Sequence, residues 1–284
     1  MAGLYIHIPF CKSRCRYCDF YSTILVGQQP AYVKALQKEM LMRSDYLGNQ
    51  PISTIYFGGG TPSTLDATLY RDIFDRINRI FKLSYPLEIT FEANPCDLNR
   101  HYINELKENV PEINRLSIGI QSFNDDELFL LGRRHNALNA KESILLCQEK
   151  GFNNISIDLI YGIPEQTLKS WNHSIQTAID LNVTHISAYN LTYEEGTKLD
   201  EMRLKRKIEP VSDELCEQFY TLLRNRLRNA GFVRYEVSNF ARRIEFYAVS
   251  NHNASYWNDT HYLGLGAAAH SYNGVSRSWN VASV

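Results

Sequence analysis

No run of about 18 apolar residues occurs anywhere in this 284-residue chain, which excludes a membrane-spanning helix. The apolar start at residues 4–10 is too short for a secretory core, has no basic residue before it and contains His7 and Pro9. No targeting segment is read, so the protein is expected in the cytoplasm, with membrane contact only through a partner. Charge of one sign is lacking too: 30 Lys and Arg stand against 31 Asp and Glu. Without a basic surplus there is no broad footprint for nucleic acid. No linker, repeat or low-complexity tract divides the chain, and 44% hydrophobic with 21% charged residues is the composition of a globular protein. Cysteine is sparse and unevenly placed. Cys96, Cys147 and Cys216 lie alone, whereas Cys11, Cys15 and Cys18 crowd one short stretch. In a chain with no export signal that clustering argues for metal rather than disulfides.

What is present is alternation. Short β-type runs at 4–8, 54–57, 87–91, 115–120, 155–159 and 185–189 are separated by helical patterns at 32–44, 69–81, 100–109, 138–150 and 168–181. Strand and helix in turn spell a parallel sheet of βα units. A last helix at 214–230 carries Leu215, Phe219, Leu222, Leu223 and Leu227 at helical spacing and is stopped by Gly231, which reads as a core face. Six units are two short of a closed barrel, so the expected fold is α/β, an open partial (β/α)6 barrel. Residues 1–232 form its core. Residues 233–284 form an extension packed on the barrel, aromatic and Gly-rich, with Tyr235, Phe240, Phe246, Tyr247, Tyr256, Trp257, Tyr262 and Tyr272; it is expected to cap the barrel mouth.

The spacing C-x3-C-x2-C of Cys11, Cys15 and Cys18 falls directly after the first strand. Three thiolates on one loop can hold three irons of a 4Fe-4S cube and leave the fourth iron open. A structural zinc site would want a fourth protein ligand, for which His7 and Cys96 are available. The second strand runs into Gly58, Gly59, Gly60, Thr61 and Pro62. Glycines there let backbone approach a ligand closely, although such a triplet also makes a plain tight turn; no Lys-Ser/Thr follows to make a phosphate loop. Glu92, Gln121 and Asp158 each fall late in or just after a strand, the rim on which barrels of this kind build sites. Each alone could be a helix cap. Their recurrence on one rim suits a ligand laid across it.

With Tyr17 before the last cysteine, this motif resembles that of the radical S-adenosylmethionine superfamily, whose usual fold is the partial barrel read above. The resemblance implies that the open iron chelates S-adenosylmethionine and that an electron donor protein supplies the electron that cleaves it. It narrows further: Tyr5 to Cys11, the Gly-Gly-Gly-Thr-Pro segment, Ile118 to Phe123, Leu131 to His135 and Asp158 to Gly162 are similar to the coproporphyrinogen dehydrogenase-like group, almost end to end. By position, Tyr5, Tyr17, Gly59, Gly60, Thr61, Glu92, Gln121, Arg133 and Asp158 correspond to that group's S-adenosylmethionine contacts.

Two functions diverge within the group, an oxygen-independent coproporphyrinogen III oxidase and a haem chaperone that hands haem to an acceptor protein. The oxidase carries an N-terminal arm, for which the strand starting at Leu4 leaves no room, and a further cysteine where this chain has Phe20 after Asp19. The segment from Cys18 to Ser22 and the H-N-x-x-Y-W run of His252, Asn253, Tyr256 and Trp257 resemble the chaperone branch, so oxidase turnover is not expected. That resemblance makes His252 the expected haem ligand, near the barrel mouth and beside flat aromatic surface; the plain alternative is a core histidine among packing aromatics. His270 and His7 are the remaining candidates. Chaperone-like chains usually continue into a further C-terminal domain, expected to be absent here.

Overall fold

The computed structural model describes residues 1–243 and 248–284; Phe246 and Tyr247 lie outside the described residues. Six parallel strands form its centre, β1 (Ala2–Ile8), β2 (Ile52–Gly59), β3 (Leu83–Ala93), β4 (Arg115–Gln121), β5 (Ile155–Tyr161) and β6 (His185–Asn190), in sequential order. Each expected strand is found. Helices α1 (Gln29–Met42), α2 (Ala67–Ile80), α3 (Arg100–Asn109), α5 (Ala137–Glu149) and α6 (Leu168–Asp180) also lie within a few residues of their expected places, and the short α4 (Asp125–Leu131) and α7 (Lys198–Leu204) were not anticipated. Their starts are set locally: Asp66, Asn99, Asn124, Asn136 and Thr167 each accept a hydrogen bond from a backbone N–H of the first turn, satisfying donors that a helix leaves unpaired.

Strands buried on both faces usually read as continuous apolar runs, yet these alternate. Leu4, Ile6 and Ile8, with Ile55, Phe57, Ile89, Phe91, Leu116, Ile118, Ile155, Ile157 and Ile186, are buried in one continuous apolar core with α1, α2, α3, α5 and α6. The intervening positions, Tyr5, His7, Thr54, Tyr56, Glu88, Thr90, Glu92, Arg115, Ser117, Ser156, Asp158, His185 and Ser187, are polar and face the barrel interior, because successive side chains point to opposite sides of a strand. The interior is therefore a polar chamber, not a second oily core.

The C-terminal part completes the sheet at both ends. Helix α8 (Asp213–Asn229) leads into β7 (Phe232–Arg234) and β8 (Asn239–Arg242), which extend it antiparallel beyond β6. After α9 (Asn251–Ser255), β9 (Tyr262–Leu265) pairs parallel with β1, and β10 (His270–Tyr272) with β11 (Arg277–Trp279) make an outer hairpin. This corrects the expectation that the segment caps the mouth. His252 of α9 meets Thr54 and Glu88 near the starts of their pairings with β1 and β2, so α9 closes the end of the barrel opposite the cysteines.

Trp171 is wholly buried between Tyr161 and α8, and its indole N–H donates to the Phe219 carbonyl at 3.0 Å. Replacing Trp171 with Ala should cost about 3–5 kcal/mol in urea unfolding, and a Phe replacement, which keeps bulk but drops the donor, should cost distinctly less.

Candidate functional site

One cavity of about 520 Å³ is lined by the cysteine loop, the ends of β2 to β6 and the loops that follow them. Its wall includes Cys11, Cys15, Cys18, Tyr17, Gly59, Gly60, Thr61, Glu92, Gln121, Arg133 and Asp158, eleven of the twelve residues that the sequence pointed to for cluster and S-adenosylmethionine. Tyr5 is the exception: it is not on the wall but stacks on Tyr56 at 6.1 Å and bonds His7 Nδ1 through its hydroxyl at 3.1 Å.

The cysteine loop is held in place before any metal arrives. Cys11 N–H donates to the Thr23 carbonyl, Arg16 N–H to the Leu131 carbonyl, and Leu199 N–H to the Arg16 carbonyl. The Arg133 guanidinium reaches Cys15 Sγ at 3.1 Å while donating to the Gly119 carbonyl at 2.5 Å. A residue the sequence did not flag ties the rim together. The carboxylate of Asp97, almost fully buried, accepts from Lys12 Nζ at 2.8 Å, Arg134 Nη2 at 3.1 Å and Ser63 Oγ at 3.1 Å. It thereby joins the cysteine loop to the loops after β2, β3 and β4.

Close backbone approach requires the glycines. Gly60 N–H donates to the Ile8 carbonyl at 2.9 Å, and a Cβ there would stand 2.8 Å from the Pro9 carbonyl carbon. Gly59, at φ +111°, lies against the His7 ring in a conformation favouring glycine. Gln121 has φ +70° beside a register shift between β4 and β5, a conformation that costs a non-glycine residue energy and that the surrounding structure must hold in place.

Neither His7 nor Cys96 lies on the cavity wall. His7 has both ring nitrogens engaged, by the Tyr5 hydroxyl and the Tyr21 carbonyl at 3.0 Å, and Cys96 is exposed. The zinc alternative thus lacks the fourth protein ligand it would need. Among the described residues no three ligating side chains gather as they would around a single ion, whereas a 4Fe-4S cube offers three separate irons to three separate sulfurs. Burial pushes the thiols of Cys11 and Cys18 up, the latter to about 11, so metal uptake must displace protons.

Two carboxyls dominate the electrostatics of the wall. Burial, with the nearby Asp158, raises Glu92 to about 7 although it accepts from Tyr56 Oη at 2.7 Å and Gly59 N–H at 3.2 Å. Burial likewise raises Asp158 to about 6, against the opposing pull of Ser187, Arg115 and Arg133. A ligand carrying cationic groups would be matched to this wall as the carboxyls ionise. Tyr56, Ser117, Ser187, Tyr189 and Asn253 also line the cavity; except for Asn253, on α9, each stands at an inward position of its strand, a signal available in the alternation but unused.

His252 lies elsewhere than expected. It is buried, with Nδ1 at 2.8 Å from Thr54 Oγ1, Nε2 at 2.9 Å from Tyr256 Oη, and its ring 5.0 Å from that of Tyr56. Burial lowers it to about 3. The imidazole stays neutral, but as placed it has no nitrogen free for iron.

Fold and cavity define a barrel of the radical S-adenosylmethionine type, and a family pattern described as the Radical SAM superfamily matches residues 5–178. The relatives narrow this. The haem chaperone HemW of Bacillus subtilis is 40% identical over 288 residues, covering 100% of this chain and 74% of that protein. That of Lactococcus lactis is 34% identical over 94% of this chain and 69% of its own length. Among solved structures, coproporphyrinogen III oxidase (HemN) from Escherichia coli superposes with a TM-score of 0.83 at 24% identity, over 99% of this chain and 67% of that one; this likeness concerns the fold. The chain belongs to the HemW family within the Radical SAM superfamily. No helix among the described residues is long and apolar enough to cross a membrane.

Because Glu92 and Asp158 are more protonated in the fold than their ordinary values of 4.5 and 3.8 allow, the metal-free folded chain binds more protons than the unfolded one up to about pH 7. Its stability should fall as pH rises through that window. Thermal unfolding of a Glu92→Gln variant should show a flatter pH dependence than the parent between pH 5 and 8 (about the span of these shifts); an identical slope would contradict the assignment. Lys12→Gln should leave the fold intact yet let a chelator strip iron about two- to fivefold faster, the scale of a half-exposed ion pair.

Proposed function

We propose that this chain is a haem carrier that binds a 4Fe-4S cluster, S-adenosylmethionine and haem and delivers haem to an acceptor protein, in the cytoplasm. The 40% identity to a named haem chaperone along the whole chain carries this reading. Cys11, Cys15 and Cys18 hold the cluster; Tyr17, Gly59, Gly60, Thr61, Glu92, Gln121, Arg133 and Asp158 hold S-adenosylmethionine, and Tyr5 acts through Tyr56. When bound, the cluster supplies an open iron and, given an electron donor protein, one electron.

The chain's own residues do the rest. Arg133 donates to the Cys15 sulfur and so fixes its position in the loop that holds the cluster. The Gly59 N–H keeps Glu92 in one orientation, so that the carboxyl presents a fixed acceptor to an ammonium group. The Asp97 carboxylate holds Lys12 and Arg134 together and so fixes the width of the cavity mouth.

Reconstituted without oxygen, the protein should show charge-transfer absorption that replacement of Cys11, Cys15 or Cys18 by Ala abolishes and replacement of Cys96, Cys147 or Cys216 leaves in place. A folded triple variant that keeps its full iron would contradict the cluster assignment. With cluster, reductant and S-adenosylmethionine present, coproporphyrinogen III should not be converted to protoporphyrinogen IX; carbon dioxide release over several turnovers would favour the oxidase instead.

A further inference from the structure

Of the eight histidines, five are unavailable to an external iron. His7, His185 and His252 are buried with both ring nitrogens engaged, His135 is buried against the Ile120 carbonyl, and His261 is bonded to Gln50 and packed at Gly274. Three are exposed. His101 faces Glu105 across one turn of α3, and His173 stands on α6 without a ring contact among the described residues. His270 differs from both. Its ring nitrogens have no hydrogen-bond partner among the described residues, and its ring stacks on Trp279, centroids 5.9 Å apart and planes 26° from parallel.

The hairpin register explains why this face is chemically mixed. His270 pairs with Trp279 and Tyr272 with Arg277, and residues two apart on a strand share a face. One side of β10–β11 therefore presents an imidazole, an indole, a phenol ring and a guanidinium. Trp279 is 69% exposed and Val281, just beyond it, 77%, so the flat indole and its apolar neighbour stand open to a ligand. Arg277 lies over the Tyr272 ring at 5.2 Å and donates to Tyr262 Oη at 3.3 Å, which leaves further donors of its fork free for a carboxylate.

We propose that the exposed face of the β10–β11 hairpin is the haem site, with His270 as axial ligand to the iron, Trp279 and Val281 as the flat apolar platform and Arg277 as the partner of a propionate. The chemistry fits a planar apolar ring with a Lewis-acidic metal at its centre and anions at one edge. Its openness suits a carrier, since one ligand and one covered face hold haem without enclosing it. The inference rests on the haem-carrier reading, and it replaces His252, whose nitrogens serve the barrel floor.

The test is titration of the cluster-loaded protein with haemin and, separately, with metal-free protoporphyrin IX. His270→Ala should lose the Soret shift of iron ligation and weaken haemin binding by roughly tenfold or more, equivalent to about 1.4 kcal/mol, while binding metal-free protoporphyrin as the parent does. Trp279→Ser should weaken both porphyrins, and Arg277→Gln should weaken both less. His252→Ala, if it folds, should retain the ligation spectrum of the parent. Should the parent bind no haemin saturably, the carrier reading itself falls. If the parent binds and His270→Ala titrates with the parent's spectrum and affinity, this site alone is wrong. It is equally overturned if Trp279→Ser leaves both titrations unchanged and instead alters self-association in sedimentation, for then the face is an interface between copies.

Discussion

Every second residue of the six central strands faces a chamber rather than a helix, and polar groups there are tolerated only when each finds a partner. That requirement organises the molecule. Glu92 takes Tyr56 and Gly59, Thr54 takes His252, His185 takes Ser156 and Tyr235, and Glu88 takes the backbone of Asn251 and His252. The C-terminal segment is thus bound to the barrel by the chamber's unmet hydrogen bonds, not by apolar burial alone. Gly3 belongs to the same arrangement, since a Cβ there would stand 2.9 Å from Thr54 Oγ1 and 3.3 Å from the His252 ring.

At the other end of the chamber the constraint is charge. Cations from two separate segments, Lys12 of the cysteine loop and the adjacent Arg133 and Arg134, meet around thiols and the Asp97 carboxylate. Because Asp97 is buried and shared among three donors, removing any one leaves the others partly unsatisfied, and such networks respond as units. The loop that would carry the cluster is therefore pre-set by groups that never touch iron. That the thiols of Cys11 and Cys18 are raised by burial makes assembly a proton-releasing event, favoured as pH rises.

The H-N-x-x-Y-W run has a double character in this structure. His252 and Tyr256 bond each other and seal the barrel floor, while Asn253 reaches the cavity lining and Trp257 remains exposed. In a motif that resembles a haem-binding segment, the histidine here bonds Thr54 and Tyr256 at the floor of the chamber. Haem ligation by an imidazole needs a nitrogen that the fold does not already use, and among these histidines exposure and aromatic company coincide at His270.

Local pattern was enough for the six strands, the main helices and the cysteine loop, because period-2 and period-3.6 hydrophobicity, capping residues and C-x3-C-x2-C spacing are all short-range properties of the chain. The rim positions of Glu92, Gln121, Arg133 and Asp158 were legible for the same reason, each being tied to the end of a strand or the loop beyond it. What pattern could not reach were pairings between distant segments. Asp97 is an ordinary loop acid until Lys12, Ser63 and Arg134 converge on it; β9 is four residues that become a strand only by pairing with β1; and whether a histidine is buried or free depends on which strands lie beside it. The engagement of both His252 ring nitrogens and the exposure of His270 were thus decided by tertiary packing, since a hydrogen-bond partner 198 residues away leaves no trace in the spacing around the residue itself.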